Sequence, residues 1–288
     1  MRHWREHDVY LTGWTTVTLP PSLAQDPGKL RYICGVTGSM KTLVPIELVR
    51  AGIPLTNWGD APANGVAEGA MTLLLTVLKD IPKRTTLVRE GGWKLDMDQH
   101  GGSLLGLNVG IYGCGVIGRR FVEMIRPFGA KLRVFDPYAS TLPEGVDRAN
   151  SLDELMAGTE ALVIHAGWTP ETNKSITRKH LAMLPDHGVV INTARGGIID
   201  QDALFDELAS GRLRAGLDVL EPDKMPTDHA ARQWSNVVFT AHQVEFAWPG
   251  ASRRMSTMHE YALDNLRRFA SGQPLRWLMD ETRYKLST

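Results

Sequence analysis

The amino-acid sequence predicts an α/β protein: a parallel, doubly wound sheet with a second, smaller α/β unit. Three observations carry this reading. Residues 108–137, NVGIYGCGVIGRRFVEMIRPFGAKLRVFDP, read as strand, tight turn, helix and strand. Beyond them, short β-rich runs and helical segments alternate as far as residue 240. Before them, residues 9–57 hold a shorter alternation of the same kind.

In the first of these stretches Val109, Ile111 and Tyr112 form an apolar run that ends where Gly113, Gly115 and Gly118 begin, spaced GxGxxG. Val116, Ile117, Phe121, Val122, Met124, Ile125 and Phe128 then recur at helical spacing, and Gly129 supplies a stop. Leu132, Val134 and Phe135 make a second strand closed by Asp136 and Pro137. This is the Rossmann arrangement. Gly113 serves the turn, Gly115 lets backbone approach a pyrophosphate, and Gly118 lets helix press on strand. The phosphates would sit on the free N–H groups at the helix start, around Val116 and Ile117. Asp136, eighteen positions after Gly118, stands where an acid accepts hydrogen bonds from the ribose hydroxyls of NAD and repels the extra phosphate of NADP. The motif alone is weak, since glycine turns without a ligand are common. Strand, helix, second strand and acid together favour the dinucleotide.

The rest of the chain extends the pattern. Residues 9–11, 30–36 and 53–57 look like strands, with a helix at 45–51 stopped by Gly52. Between two of these elements Thr37, Gly38 and Ser39 form a turn whose N–H groups suit a small anion such as a carboxylate, or simply join strand to helix. Residues 66–87 read as one long helix broken or kinked at Pro82, with Asn64 as a cap at its start and Glu68 as a dipole-compensating acid. Ser151 to Glu154 has a capping-box pattern. Strands at 161–164, 189–192, 215–219 and 237–240 then alternate with helices at 178–184 and 201–208, the latter ending near Gly211. That gives six strands in the larger sheet, and ligands bind outside the carboxyl ends of such strands, near the switch between strands one and four. By this count strand three ends at His165, four leads to Arg195, five to Glu221 and Asp223, and six to His242.

Composition narrows the class. A chain of 288 residues, 43% apolar and 22% charged, is long enough for two domains. Lys plus Arg equal Asp plus Glu at 32 each, so nothing marks a binder of nucleic acid or of anionic membrane. The two cysteines, Cys34 and Cys114, form no framework, and Cys114 reads as a small, reduced, buried residue inside the glycine turn. The charged N-terminus is no secretory signal, and the longest apolar run, 71–78, is too short to span a bilayer. A soluble, cytoplasmic protein is the expectation. His3 and His7 are four apart but lack a third ligand nearby, so they read as solvated and no metal site is expected.

From Ile191 the sequence reads INTARGGIIDQDAL, from Gly216 GLDVLEPDKMP and from Asn236 NVVFTAHQVEF. With VAEGAMTLLL at Val66, the glycine motif and TPETN at Thr169, these segments resemble the NAD-dependent D-isomer-specific 2-hydroxyacid dehydrogenases. The resemblance implies hydride transfer between NAD and a small 2-hydroxy or 2-oxo acid. It implies that Arg195 binds the substrate carboxylate and polarises its oxo group, that His242 is acid and base, and that an acidic partner orients the ring. The family usually places Glu in that third role; the same spacing here gives Asp223, one methylene shorter, with Glu221 as the alternative. His165 becomes a wall of the cofactor pocket, with Thr193 and Ala194 beside it and Asp218 a partner for the nicotinamide amide. Thr37 to Ser39 would hold the carboxylate.

The same resemblance assigns residues 1–84 and 252–288 to a discontinuous, flavodoxin-like substrate domain and 85–251 to the NAD-binding domain, with long helices around 66–87 and 250–269 linking the two. It also implies a homodimer. Two departures stand out. The family carries two further strands before the one at 9–11, so the substrate domain is expected to be incomplete. After His242 it continues with small residues, where this chain has Gln243, Val244 and Glu245, and Ala241 replaces its usual Pro. A non-catalytic NAD-binding module and an inactive truncated relative are the alternatives to an enzyme.

Overall fold

The β-rich runs pair as parallel strands in two separate sheets in the computed structural model, which describes residues 4–94, 102–245 and 253–287. The chain divides into two units, Met1–Pro62 with Ala247–Thr288, and Ala63–Phe246. His3 and residues 250–252 of the expected C-terminal helix lie outside the described residues.

In the first unit β1 (Val9–Thr12), β2 (Tyr32–Gly35) and β3 (Leu55–Thr56) lie in that order, all parallel, with α1 (Ile46–Arg50) between β2 and β3 in the chain. Ile33, Leu48, Leu55 and Met40 form its core with Met279 and Tyr284 from the C-terminal segment. Tyr284 belongs to a helix, Glu281–Leu286, that the sequence reading did not anticipate, and its hydroxyl donates to the Val44 carbonyl at 2.5 Å.

The second unit is built on seven parallel strands: β4 (Asn108–Tyr112), β5 (Lys131–Phe135), β6 (Asp147–Arg148), β7 (Ala161–Ile164), β8 (Val189–Asn192), β9 (Arg214–Leu217) and β10 (Val237–Phe239). Their order across the sheet is β10-β9-β8-β7-β4-β5-β6. The central strands read as unbroken apolar runs because both faces are covered. Val109, Ile111, Val163 and Ile191 face one core, and Tyr112, Leu162, Ile164 and Val190 face the other. Each such side chain contributes roughly 1.5–3 kcal/mol on burial.

Helices α2 (Ala63–Leu78) and α4 (Val116–Ile125) cover the first face, and α5 (Leu152–Met156), α6 (Arg178–Met183) and α7 (Gln201–Ala209) the second; α3 (Ile81–Arg89) follows α2. The Ser151 hydroxyl caps α5 by accepting from Glu154 N at 3.0 Å, as its pattern predicts. Gly129, at φ +73, closes the segment after α4.

Four expectations need correction. The larger sheet has seven strands, not six: β6 is an exposed edge of two residues. It makes β7 the fourth strand in sequence, so the switch point lies between β4 and β7. Residues 66–87 are two helices, divided at Asp80, which sits at φ +55, while Pro82 lies in the first turn of α3 where its missing N–H costs nothing. Helix α2 starts at Ala63, which puts Asn64 inside its first turn rather than at a cap. Finally, α2 sides with the larger sheet. Gly216 of β9 lets it lie close, since a Cβ there would come within 2.9 Å of Leu73 Cβ. Among the described residues no helix is long and apolar enough to cross a membrane.

Leu74 of α2 is fully buried in the core of the second unit. Leu74→Ala is expected to lower the unfolding free energy by about 2–5 kcal/mol in urea titration. Hydrogen exchange should then accelerate in β8 and β9, against which α2 packs, and not in β1 to β3.

Candidate active site

The turn between β4 and α4 shows three glycines doing three different things. Gly113 has φ +94, and a Cβ there would meet Ala166 N at 2.4 Å. A Cβ on Gly118 would lie 2.3 Å from the Gly113 carbonyl oxygen, so helix and strand touch. At Gly115 a Cβ would find no atom within 4 Å, leaving the backbone bare towards solvent. The first helical bond runs from Arg119 N to the Gly115 carbonyl at 3.0 Å, and no side chain caps the helix. The N–H groups of Val116, Ile117 and Gly118 therefore point out of the helix start, a cradle for phosphate.

Asp136, at the end of β5, fastens this turn. Its Oδ2 accepts from Cys114 N at 2.7 Å, and its Oδ1 accepts from Tyr138 N at 2.8 Å and Ala139 N at 3.1 Å. A carboxylate has about four acceptor positions, so one remains for a ligand hydroxyl. Beyond β7, His165 lies over the glycine turn against Phe121, with ring centroids 5.1 Å apart. Both its ring nitrogens are buried without a partner. Thr193 Oγ1, beyond β8, is a further buried polar atom in that condition. Open backbone, free N–H groups and two orphaned polar side chains at one end of the sheet fit a dinucleotide.

The loops after β8, β9 and β10 carry Arg195, Asp223 and His242, and these strands are neighbours in the sheet. Asn192 shapes the first loop: its Nδ2 donates to the Arg195 carbonyl and its Oδ1 accepts from Ala194 N, both at 3.0 Å. Gly196 then allows contact with the second loop, since a Cβ there would fall 2.1 Å from the Leu220 carbonyl carbon. Burial draws the Arg195 guanidinium below its usual pKa while the Asp223 charge opposes this.

Asp223 Oδ2 lies 2.5 Å from His242 Nδ1, and both side chains are half exposed, at 50% and 47%. Asp223, rather than Glu221, is the carboxylate within hydrogen-bond distance of this ring. The shorter side chain suffices because the loop lies close. Glu221 is instead held through its backbone: its N–H donates to Gln201 Oε1 and its carbonyl accepts from Gln201 Nε2, both at 2.8 Å.

His242 projects from an unusual turn in which Ala241 and His242 both adopt left-handed conformations, at φ +53 and +58. Such residues cost on the order of 1–2 kcal/mol each. Asp218, only 5% exposed, offsets this. Its carbonyl accepts from His242 N at 2.5 Å, and its Oδ1 accepts from Thr240 Oγ1, Gln243 N and Val244 N at 2.5, 2.9 and 3.0 Å. Val244 seats against α2, where a Cβ on Gly69 would come within 2.4 Å of it.

The turn at Thr37–Ser39 belongs to the first unit. Its carbonyls are tied down: Trp58 N donates to Thr37 O at 3.2 Å and Asn57 Nδ2 to Gly38 O at 2.9 Å. The N–H groups of Thr37, Gly38 and Ser39 have no hydrogen-bond partner among the described residues. Sequence reasoning missed Asn192, Gln201, Thr240 and the anchoring by Asp218. The pair Gly196–Gly197 beside Arg195 was the one available sign that two loops meet there.

Residues 71–243 match the NAD binding domain of the D-isomer specific 2-hydroxyacid dehydrogenases. A D-3-phosphoglycerate dehydrogenase of Methanocaldococcus jannaschii is 34% identical over 67% of this chain and 37% of its own length. A hydroxypyruvate reductase of Thermotoga maritima is 36% identical over 66% of this chain and 63% of its own. The chain thus spans less than two thirds of either relative. A solved glyoxylate reductase from Paecilomyes thermophila superposes with a TM-score of 0.80 at 25% identity, covering 96% of this chain and 84% of that one.

Two outcomes are expected. Gly115→Ala should leave the melting temperature unchanged yet weaken NADH binding about tenfold in a fluorescence titration, because the methyl enters open space where the pyrophosphate approaches. Burial lowers the His165 imidazole from 6.5 to about 3. Between those values the unfolded chain binds a proton that the folded chain does not, so stability falls as pH falls. Going from pH 7 to pH 5, the wild type should lose about 2 kcal/mol more than His165→Leu in urea unfolding.

Proposed function

Because the chain belongs to the D-isomer-specific 2-hydroxyacid dehydrogenase family, we propose that it transfers hydride between NAD(H) and a small 2-oxo or 2-hydroxy acid. The observation that carries this reading is the Asp223–His242 pair, at 2.5 Å, which joins the loops after β9 and β10 beside the β8 loop that bears Arg195.

Asp136 accepts from the ribose, the glycine turn and helix start hold the pyrophosphate, and His165, Thr193 and Ala194 line the dinucleotide's site. Asp218 Oδ2, which has no protein partner among the described residues, takes the nicotinamide amide. When bound, the nicotinamide supplies or receives the hydride. Arg195 pairs its planar guanidinium with the substrate carboxylate and polarises the oxo group. His242 carries the proton. Its Nδ1–H donates to Asp223, which leaves Nε2 to protonate the substrate oxygen during reduction and to take the proton back during oxidation. Asp223 stabilises the charged ring in the form that gives the proton up.

In the first unit, the free N–H groups of Thr37, Gly38 and Ser39 suit the carboxylate of the same substrate class. The bulk and charge of Gln243, Val244 and Glu245 leave the acid's side chain open among small oxo acids such as glyoxylate, hydroxypyruvate and pyruvate. A homodimer and a cytoplasmic location complete the proposal. Two buried free cysteines accord with a reducing compartment.

The test is NADH oxidation, followed by absorbance, against a panel of 2-oxo acids with NADPH in parallel. Turnover with NADH, reduced about 10²–10⁴-fold by His242→Ala without loss of NADH binding, is the expected result. Preference for NADPH would overturn the role given to Asp136. No turnover by a folded, NADH-binding protein would leave a non-catalytic NAD-binding module.

A further inference from the structure

We propose that Gln201 is a positioning residue for the proton-transfer pair: its amide clamps the Glu221 backbone and thereby lets an aspartate, Asp223, reach His242. The inference rests on the dehydrogenase reading above, in which that pair moves the proton.

The clamp has two arms. Gln201 Nε2 donates to the Glu221 carbonyl and Gln201 Oε1 accepts from Glu221 N–H, each at 2.8 Å. One side-chain amide thus satisfies both backbone groups of a single residue, as a neighbouring strand would. A primary amide suits this because it carries a donor and an acceptor side by side, whereas a carboxylate does not donate and an ammonium does not accept.

Its base is rigid. Gln201 is the first residue of α7, directly after Asp200, whose side chain accepts from Ala203 N at 3.2 Å and whose N–H donates to the Ile176 carbonyl at 2.8 Å. Ile199 also bridges to Ile176. What the clamp holds lies at the surface. Glu221, Pro222, Asp223 and Lys224 are all exposed. Downstream, Arg232 holds the Met225 and Pro226 carbonyls at 2.8 Å; upstream, the ties are the clamp, the seat of Leu220 on Gly196 and a long bond of 3.4 Å from Leu220 N to Asp223 Oδ1, and within the segment Lys224 N donates to the Pro222 carbonyl at 2.6 Å.

Asp223 follows Glu221 by two residues, so freedom at Glu221 passes directly to the carboxylate. A side chain with one methylene fewer than glutamate can meet the ring only if the backbone is brought near and kept there. A displacement of about 1 Å at such a pair costs up to about a hundredfold in rate.

The experiment compares Gln201→Ala, Asp223→Glu and the double variant. Gln201→Ala should lower kcat between about ten- and a hundredfold, with KM and NADH affinity within about twofold of wild type. Asp223→Glu alone should also lower kcat, because the longer arm overfills a 2.5 Å contact. In the double variant the relaxed loop accommodates the longer arm, and kcat should exceed that of either single variant. A second readout needs no substrate. In nitrogen NMR with isotope-labelled histidine, the His242 signal, assigned by its loss in His242→Ala, should report the Nδ1–H tautomer in the wild type. In Gln201→Ala it should shift towards the Nε2–H tautomer. An unchanged tautomer, or a double variant no better than the worse single variant, would overturn the clamp. An enzyme without turnover whose tautomer still responds to Gln201→Ala would retain the clamp and reject the dehydrogenase reading.

Discussion

A largely buried carboxylate needs donors, and in this protein Asp218 finds them for one of its oxygens in the segment that bears His242. The hydroxyl of Thr240 and the N–H groups of Gln243 and Val244 all converge on one of its oxygens. Charge-assisted bonds of this kind are worth roughly 1.5–3 kcal/mol each, enough to hold two successive residues in left-handed conformations. The remaining geometry leans on that knot. Asp218 itself is placed by β9 and by the bond from its N–H to the Asn192 carbonyl at 2.9 Å, and Asn192 in turn shapes the Arg195 loop. The His242 ring and the Arg195 guanidinium are thereby referred to the same two neighbouring strands.

The parallel sheet explains why so few contacts suffice. All seven strands send their carboxyl ends to one edge, so polar residues just beyond β7, β8, β9 and β10 meet without long excursions of the chain. Close approach then depends on missing atoms: Gly196 against Leu220, Gly69 against Val244 and Gly118 against the Gly113 carbonyl. At each of these places a methyl group would need the space that a neighbouring atom already occupies.

Much of this was legible in the sequence, and the parts that were not share a physical cause. Strands 161–164 and 189–192 were readable to the residue because burial on both faces leaves no polar position inside them. The Gly113, Gly115 and Gly118 spacing foretold turn, bare backbone and helix contact correctly. By contrast, β6 is two exposed residues, Asp147 and Arg148, with no apolar signal. Helix α2 announces that it is buried, yet nothing in a nearly all-round apolar pattern tells which sheet it covers. The choice between Glu221 and Asp223 turned on how far a loop stands from a ring, and that distance is fixed by Gly196 and Gln201, twenty or more residues earlier. Gln201 itself reads as an unremarkable first residue of a helix.

The way the His242 turn is anchored also bears on what selection can alter there. Gln243 and Val244 are held by their backbone N–H groups, which every residue except proline possesses. Their side chains contribute nothing to that grip, and only Val244 is constrained from outside, by the space at Gly69. Gln243 is therefore free to drift in size and charge while the imidazole stays where it is. The departure at Gln243 from the small residues usual in this family is a change in what the loop presents, made without disturbing what it holds.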